Sequence, residues 1–249
     1  MNVLILAAGY ATRLYPLTLM KAKPLLDIAG KPMIERLMDH LVPVSDIDTV
    51  FIVTNHKFAA DFQAWADDYS KRRPKFTFQV IDDGSTSDEN KLGAIGDINL
   101  VLKQEHSAKN SDLLVVAGDN LFSQSLADFV DFAQTTDATV AVYDVKDREA
   151  IKKYGCVTVG ADGSIESFEE KPAEPKSTLA AIALYYYART TLLYIEAYLD
   201  EKNNPDQPGR FVQWLYSRKP VKTFQIGGLW LDIGSKETLE EANQTFAKL

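Results

Sequence analysis

An apolar run from Val3 to Ala8 leads directly into Gly9-Tyr10-Ala11-Thr12-Arg13, a turn of small residues closed by an arginine. Such a turn can aim several backbone N–H groups at one anion, and the guanidinium fork that follows suits two phosphate oxygens. On residue types alone the stretch is either a phosphate cradle or a tight strand-to-helix connection with a solvated arginine. Lys21 and Lys23 follow within ten positions of Arg13, ahead of Pro24, which is expected to stop local helix, so the loop after the turn carries positive charge. A second chemically suggestive place is Gly118-Asp119-Asn120, directly after the apolar run Leu113 to Ala117. Asp119 is there either a strand-end carboxylate facing a ligand or a turn aspartate. His40, His56 and His106 lie in no metal-ligand spacing, and structural or solvated roles are expected for them.

These residues need elements to hold them. Val3 to Ala8, Val50 to Thr54 and Leu113 to Ala117 are short, rich in β-branched and aliphatic residues and without polar alternation, the pattern of buried parallel strands. Phe58, Phe62, Trp65 and Tyr69 fall on one face of a helical stretch, with Asp61, Asp67 and Asp68 between them. Strand, helix and strand in succession imply crossovers, and in such sheets ligands collect at the carboxyl ends of the strands, here Gly9 to Arg13, Asn55 and Gly118 to Asn120.

Beyond Ala138 to Val145 the pattern changes. Tyr154 to Val159, Ile165 to Phe168, Ala181 to Tyr187 and Val221 to Ile226 read as strands, with a turn at Ala161-Asp162-Gly163-Ser164. This half is expected to extend the sheet and close one side of a pocket. Helix is expected at Thr190 to Glu201 and at Ser235 to Lys248, the latter with a serine cap and a threonine three residues on. Asn203 to Gly209 reads as a loop. Phe211, Trp214 and Leu215 read as core or subunit contact, which leaves a homo-oligomer open.

The 249 residues carry 27 Lys plus Arg against 35 Asp plus Glu, a net charge of −8, with 46% apolar and 25% charged residues. That is an ordinary soluble globular composition whose acidic balance argues against nucleic acid or anionic membrane as partner, so any anion must be held locally. The lone Cys156 can make no internal disulfide and reads as a small core residue, which suits a reducing, cytoplasmic setting. The opening apolar run is too short for a signal peptide or membrane span, and the Asn243-Gln244-Thr245 sequon is then coincidental.

The spelling of the cradle adds more than its spacing. Leu6-Ala7-Ala8-Gly9-Tyr10-Ala11-Thr12-Arg13-Leu14-Tyr15-Pro16-Leu17-Thr18, then Lys23-Pro24 and Gly30-Lys31-Pro32-Met33-Ile34, resembles the signature of sugar-phosphate nucleotidylyltransferases, the glucose-1-phosphate thymidylyl- and uridylyltransferase family. The resemblance continues, in order, through Gly118-Asp119-Asn120, Lys153-Tyr154-Gly155, Glu169-Glu170-Lys171-Pro172 and Trp230-Leu231-Asp232-Ile233-Gly234, and so spans almost the whole chain. It implies a three-layer α/β/α domain with a mostly parallel, Rossmann-like sheet of the nucleotide-diphospho-sugar transferase type. That single domain would cover residues 1–249, with a nucleotide-binding half of about 1–120 and a sugar-phosphate half of about 121–249.

The resemblance also implies roles. Arg13, Lys23 and Lys171 would be catalytic; Leu6, Ala7, Ala8, Gly9, Thr12, Arg13, Lys23, Leu92, Gly93 and Ala94 would bind the nucleoside triphosphate. Asn120, Gly155, Glu170 and Lys171 would bind the sugar 1-phosphate, with glucose 1-phosphate the expected acceptor. Asp119 and Asp232 would hold Mg²⁺, which takes one or two protein carboxylates and fills its other positions with water and phosphate. The chain departs from thymidylyltransferases at Ala11, where a second glycine is usual, at Thr178 and Ala183 near the sugar motif, and in the acidic, serine-rich Asp82 to Asn90 before the base-reading Leu92-Gly93-Ala94-Ile95-Gly96. Neither base nor sugar is therefore inherited from the resemblance. The rival readings are cytidylyl transfer to a non-sugar phosphate such as phosphocholine, and a non-catalytic regulatory subunit; the latter would be expected to have lost phosphate or metal residues that are present here.

Overall fold

The computed structural model describes all 249 residues. In chain order the elements begin with β1 (Asn2–Ala7), β2 (Asp27–Ile28), β3 (Lys31–Pro32), α1 (Met33–Leu41), β4 (Thr49–Thr54), α2 (Ala59–Arg72) and β5 (Thr77–Asp82). Next come α3 (Ala94–Gln104), α4 (His106–Lys109), β6 (Leu113–Ala117), β7 (Asn120–Phe122), α5 (Ala127–Ala133) and β8 (Ala138–Asp144). The chain continues with β9 (Gly155–Val159), β10 (Ile165–Glu170), β11 (Leu179–Tyr187), α6 (Leu193–Asp200), α7 (Pro208–Leu215), β12 (Lys222–Gln225), β13 (Trp230–Asp232) and α8 (Lys236–Phe246). The architecture is a mixed sheet with mostly parallel central strands flanked by helices. No helix is long and apolar enough to cross a membrane. Two compact units divide the chain: Met1–Leu92, Val116–Ala127 and Gly228–Leu249 form the first, Gly93–Val115 and Asp128–Gly227 the second.

In the first unit β1 and β4 pair in parallel from Val3 opposite Val50 to Ala7 opposite Thr54, and β5 pairs in parallel on the far side of β4. β1 and β4 are buried on both faces, which is why their sequences read as unbroken apolar runs. β5 went unmarked by the same test: it is an edge strand whose Thr-Phe-Gln-Val-Ile-Asp is only partly covered. α2 presents Phe62, Ala66 and Tyr69 to the interior at helical spacing and leaves Asp61, Asp67 and Asp68 exposed. Burying Phe62 alone is worth about 1.5–3 kcal/mol.

One charge supports this packing. Glu35 on α1 accepts from Arg72 Nη2 at 2.6 Å, from Arg72 Nη1 at 3.2 Å and from Trp65 Nε1 at 3.3 Å. The Arg72 hydrogen bonds hold the Glu35 carboxyl below its ordinary range against the opposing effect of burial. A depressed acid stabilises the fold above its unfolded pKa and loses that contribution as pH falls through its folded value. The melting advantage of the wild type over Glu35→Gln is therefore expected to shrink from about pH 6 towards about pH 3. A gap that stays constant across that range, followed by thermal melting, would contradict the assignment.

The second unit is largely antiparallel. β11 pairs antiparallel with β8 and β9, β9 with β10, and β12 lies parallel to β8. The turn at Ala161 to Ser164 closes through Gly163 N donating to Gly160 O at 2.9 Å. Phe211 and Leu215 are buried on α7, Phe211 packing edge-to-face on Tyr187 and Tyr198 with ring centroids 5.4 and 5.7 Å apart, so this cluster is core. Two local expectations are corrected. The Asn203 to Gly209 loop ends early because Pro208 starts α7, proline's missing N–H being no loss in a first turn. Pro24 does not stop helix either; it sits inside one 3-10 turn, Lys23–Leu25.

Candidate active site

The cradle lies wholly in the first unit. After β1 the chain turns at Ala11, whose φ of 48° and ψ of 44° are left-handed, a conformation that alanine adopts at some cost where glycine would not. The turn is nevertheless braced. Leu14 N and Thr18 Oγ1 both donate to Ala11 O at 2.9 Å, and the buried Asn55 donates through Nδ2 to Ala8 O at 3.0 Å. Thr12–Leu14 is one 3-10 turn, and Leu14 is locked in a core with Ile28, Met33, Leu121, Ile233, Ala242 and Phe246. That anchor fixes the backbone of Arg13.

The two aspartates arrive on neighbouring strands. β7 and β13 pair antiparallel with Asp232 opposite Asn120, and Ile233 N donates to Asp119 O at 3.1 Å. Lys23 Nζ forms an ion pair with Asp119 Oδ2 and donates to Ile233 O at 3.0 Å. Asn120 donates through Nδ2 to Asp119 Oδ1 at 3.0 Å and accepts from Trp230 Nε1 at 2.6 Å, so both ends of this buried amide are engaged. Burial would raise the Asp119 carboxyl; the Lys23 ammonium, with hydrogen bonds from Lys23 and Asn120, holds it below its ordinary value, so it is ionised at neutral pH. Gly118 allows this closeness: a Cβ there would meet Pro24 Cγ at 2.9 Å and Leu6 O at 3.2 Å. A Cβ on Gly234 would stand 3.8 Å from Arg13 Nη1 and 3.9 Å from Asp232 Oδ2, which brings the arginine and the second aspartate to one turn.

Arg13, Lys23 and Asp119 help to line a cavity of about 300 Å³, together with Leu6, Ala7, Gly9, Tyr10, Ala11, Thr12, Pro24, Asp88 and Lys91; Asn120 and Asp232 are not among its lining residues. Of the expected nucleotide residues, Leu6, Ala7, Gly9, Thr12, Arg13 and Lys23 line it; Ala8 is buried, and Leu92 is half-exposed beside Lys91. Tyr10, Thr18 and Trp230 stand in the quoted motifs and Asp88 in the Asp82 to Asn90 stretch, but the sequence assigned them no role; Lys91 was not singled out, since no motif marks it. Nowhere do three or more His, Cys, Asp or Glu gather as a metal cluster.

The remaining residues belong to the second unit. Gly93, with φ 79°, precedes α3, which Ala94 opens. Glu170 on β10 lies opposite Gly155 on β9, and Lys171 N, at φ 50°, donates to Tyr154 O at 3.0 Å. A Cβ on Gly155 would meet Phe168 Cζ at 2.6 Å and Glu170 Oε2 at 3.1 Å. Burial pushes the Glu170 carboxyl up, opposed by the charges of Lys171 and of Arg210, a residue of α7 that sequence reading did not single out. Cys156 is buried, its Sγ 3.5 Å from Ser177 O, as a small core residue should be.

Fold and cavity together place small residues and two cations, Arg13 and Lys23, around one cavity that follows β1. Residues 2–248 match the nucleotidyl transferase family, and the chain belongs to that family. It is 26% identical, over 98% of its length and 54% of the relative's, to the bifunctional protein GlmU of Methanocaldococcus jannaschii. It is 27% identical, over 96% of its length and 65% of the relative's, to a glucose-1-phosphate adenylyltransferase of Clostridium acetobutylicum. The chain thus spans between half and two-thirds of these curated relatives. A Bacillus anthracis protein assigned as a glucose-1-phosphate thymidylyltransferase and crystallised with a sucrose superposes with a TM-score of 0.80, at 25% identity, covering 100% of this chain and 96% of that one.

Proposed function

We propose that the protein transfers a nucleoside monophosphate from a nucleoside triphosphate to a sugar 1-phosphate, with glucose 1-phosphate the preferred acceptor. An oxygen of the acceptor phosphate bonds to the α-phosphorus while the bond from that phosphorus to the bridging oxygen breaks, and pyrophosphate leaves. Such a reaction needs charge neutralisation and in-line positioning rather than a protein nucleophile. The observation that carries the reading is the cavity in which the Gly9 to Thr12 turn, Arg13, Lys23 and the ionised Asp119 converge. The turn and Arg13 hold the β- and γ-phosphates, and Lys23 lies against the phosphates nearer the reacting centre. Glu170 accepts from sugar hydroxyls and Lys171 meets the sugar phosphate, while Gly155 leaves the space that Phe168 and the Glu170 carboxylate fill.

Mg²⁺ is the proposed cofactor. Asp119 and Asp232 fit it as an oxygen pair on adjacent strands, one of them held ionised. When bound, the ion neutralises charge on the reacting phosphates. A reducing, cytoplasmic setting is part of the proposal, and the lone, buried Cys156 suits it.

Pyrophosphate release with Mg²⁺ tests the reading, using dTTP, UTP, CTP, ATP and GTP each against glucose 1-phosphate, other sugar 1-phosphates and phosphocholine. Acceptor-dependent release with a sugar 1-phosphate is expected. Release with phosphocholine alone would move the protein to the cytidylyl reading, and silence with no triphosphate binding would make it a non-catalytic subunit.

A further inference from the structure

Trp230 has no part in the reaction as described, yet it stands two hydrogen bonds from one of its carboxylates. Trp230 and Asn120 are buried, at 6% and 3% exposure, where an amide and an indole N–H each need a partner. They find them in series. Trp230 Nε1 donates to Asn120 Oδ1 at 2.6 Å, and Asn120 Nδ2 donates to Asp119 Oδ1 at 3.0 Å. The other Asp119 oxygen, Oδ2, pairs with the Lys23 ammonium.

The backbone makes this chain of bonds possible. Trp230 lies opposite Phe122 and Asp232 opposite Asn120, so Trp230 and Asn120 are diagonal neighbours on one face of the β7–β13 ribbon. Ser123 N donates to Leu229 O at 3.0 Å and Leu229 N to Ser123 Oγ at 2.8 Å, which clamps the register beside them. The series also has a direction. An indole N–H only donates and a carboxylate only accepts, so one orientation of the amide satisfies both ends. Turned over, the amide would set an oxygen against the carboxylate and an N–H against the indole, and two buried bonds would be lost.

We propose that Trp230 and Asn120 are positioning residues for Asp119. The indole N–H fixes which end of the amide meets the carboxylate, and the amide holds Asp119 Oδ1, so that the carboxylate keeps one orientation toward the metal. The proposal rests on the nucleotidyl-transfer reading, which assigns Mg²⁺ to Asp119 and Asp232. Groups that orient a metal ligand from behind change metal affinity by about ten- to a hundredfold.

Mn²⁺ binding to the whole protein, read by electron spin resonance, tests the relay through a mutant cycle, with thermal melting alongside. Trp230→Phe keeps an aromatic ring and removes the N–H; it is expected to weaken Mn²⁺ about tenfold. Asn120→Ala should weaken it at least as much. Because Trp230 acts only through Asn120, the double variant should bind Mn²⁺ as Asn120→Ala alone does. Losses that multiply in the double variant overturn the relay, and so does a Trp230→Phe protein that melts lower but binds Mn²⁺ as the wild type does. If Asp119→Asn loses Mn²⁺ while Trp230→Phe keeps it, the relay falls and the metal assignment stands. If Asp119→Asn binds Mn²⁺ as the wild type does, Asp119 leaves the metal site and the relay falls with it, whatever the pyrophosphate assay says of nucleotidyl transfer.

Discussion

Asp232→Asn is expected to lower turnover by about a thousandfold or more while melting close to the wild type. The substitution keeps the shape of the side chain and removes only its charge. Three backbone features help to position it: the pairing of Asp232 with Asn120, the Ile233 N to Asp119 O bond, and Gly234 N donating to Asp232 O at 3.1 Å. None of these needs the carboxylate. Asp119 would be a poorer probe, because its carboxylate also partners Lys23 and Asn120, and its loss would disturb binding, charge and packing together. Steady-state pyrophosphate release over a Mg²⁺ titration, alongside thermal melting, checks the claim. A well-folded Asp232→Asn enzyme with near-normal, Mg²⁺-dependent turnover would remove Asp232 from the metal site.

Gly93→Ala carries the largest stability penalty expected from a single methyl group in this molecule. Gly93 sits at φ 79°, and a Cβ there would lie 2.7 Å from Pro205 O and 2.8 Å from Asp206 Cα, both backbone atoms. That loop cannot simply recede. Ile95 N donates to Pro205 O at 2.8 Å and Ala94 N to Asp206 O at 3.3 Å, so the loop supplies acceptors to the otherwise unpaired first turn of α3. Left-handed strain and backbone overlap together are expected to cost about 2–4 kcal/mol, or roughly 5–15 °C in melting temperature for a chain of this size. Gly9→Ala is the control, since a Cβ at Gly9 meets nothing within 4 Å. Gly9→Ala should melt like the wild type and weaken triphosphate binding, whereas Gly93→Ala should lose stability. Equal melting temperatures for the two variants would show that the Pro205 loop yields.

What was legible in the sequence is what depends on local pattern. β1, β4 and β6 announce themselves because strands buried on both faces need no polar residues, and the cradle because a turn that holds phosphate needs small residues at fixed spacing. The Ser235 cap was visible too, though the threonine three residues on completes the reciprocal capping box that a glutamate usually makes. β5 was hidden by its place at the sheet edge, where one face is partly open and the apolar signal is diluted. Asp88 and Lys91 were hidden for a different reason: their meaning comes from a cavity wall built by residues about eighty positions earlier, and nothing local distinguishes them from a solvated surface pair. Asn120 shows the intermediate case. Its motif was plain, while its partnership with Trp230, 110 residues away, belongs to the fold alone.

The first unit is assembled from three separated stretches of chain, and this sets an order on the birth of the molecule. On the ribosome the cradle emerges before Asp119, and Asp232 with the β13 strand that pairs with β7 comes later still, in the third stretch, Gly228–Leu249. Until that stretch has emerged, Leu14 and Leu121 lack Ile233, Ala242 and Phe246 as core partners, and Lys23 lacks the Ile233 carbonyl. A nascent chain can therefore shape its phosphate turn while its pair of carboxylates is still incomplete. The carboxylate pair proposed to hold Mg²⁺ is then completed in one step, when the strand carrying Asp232 docks.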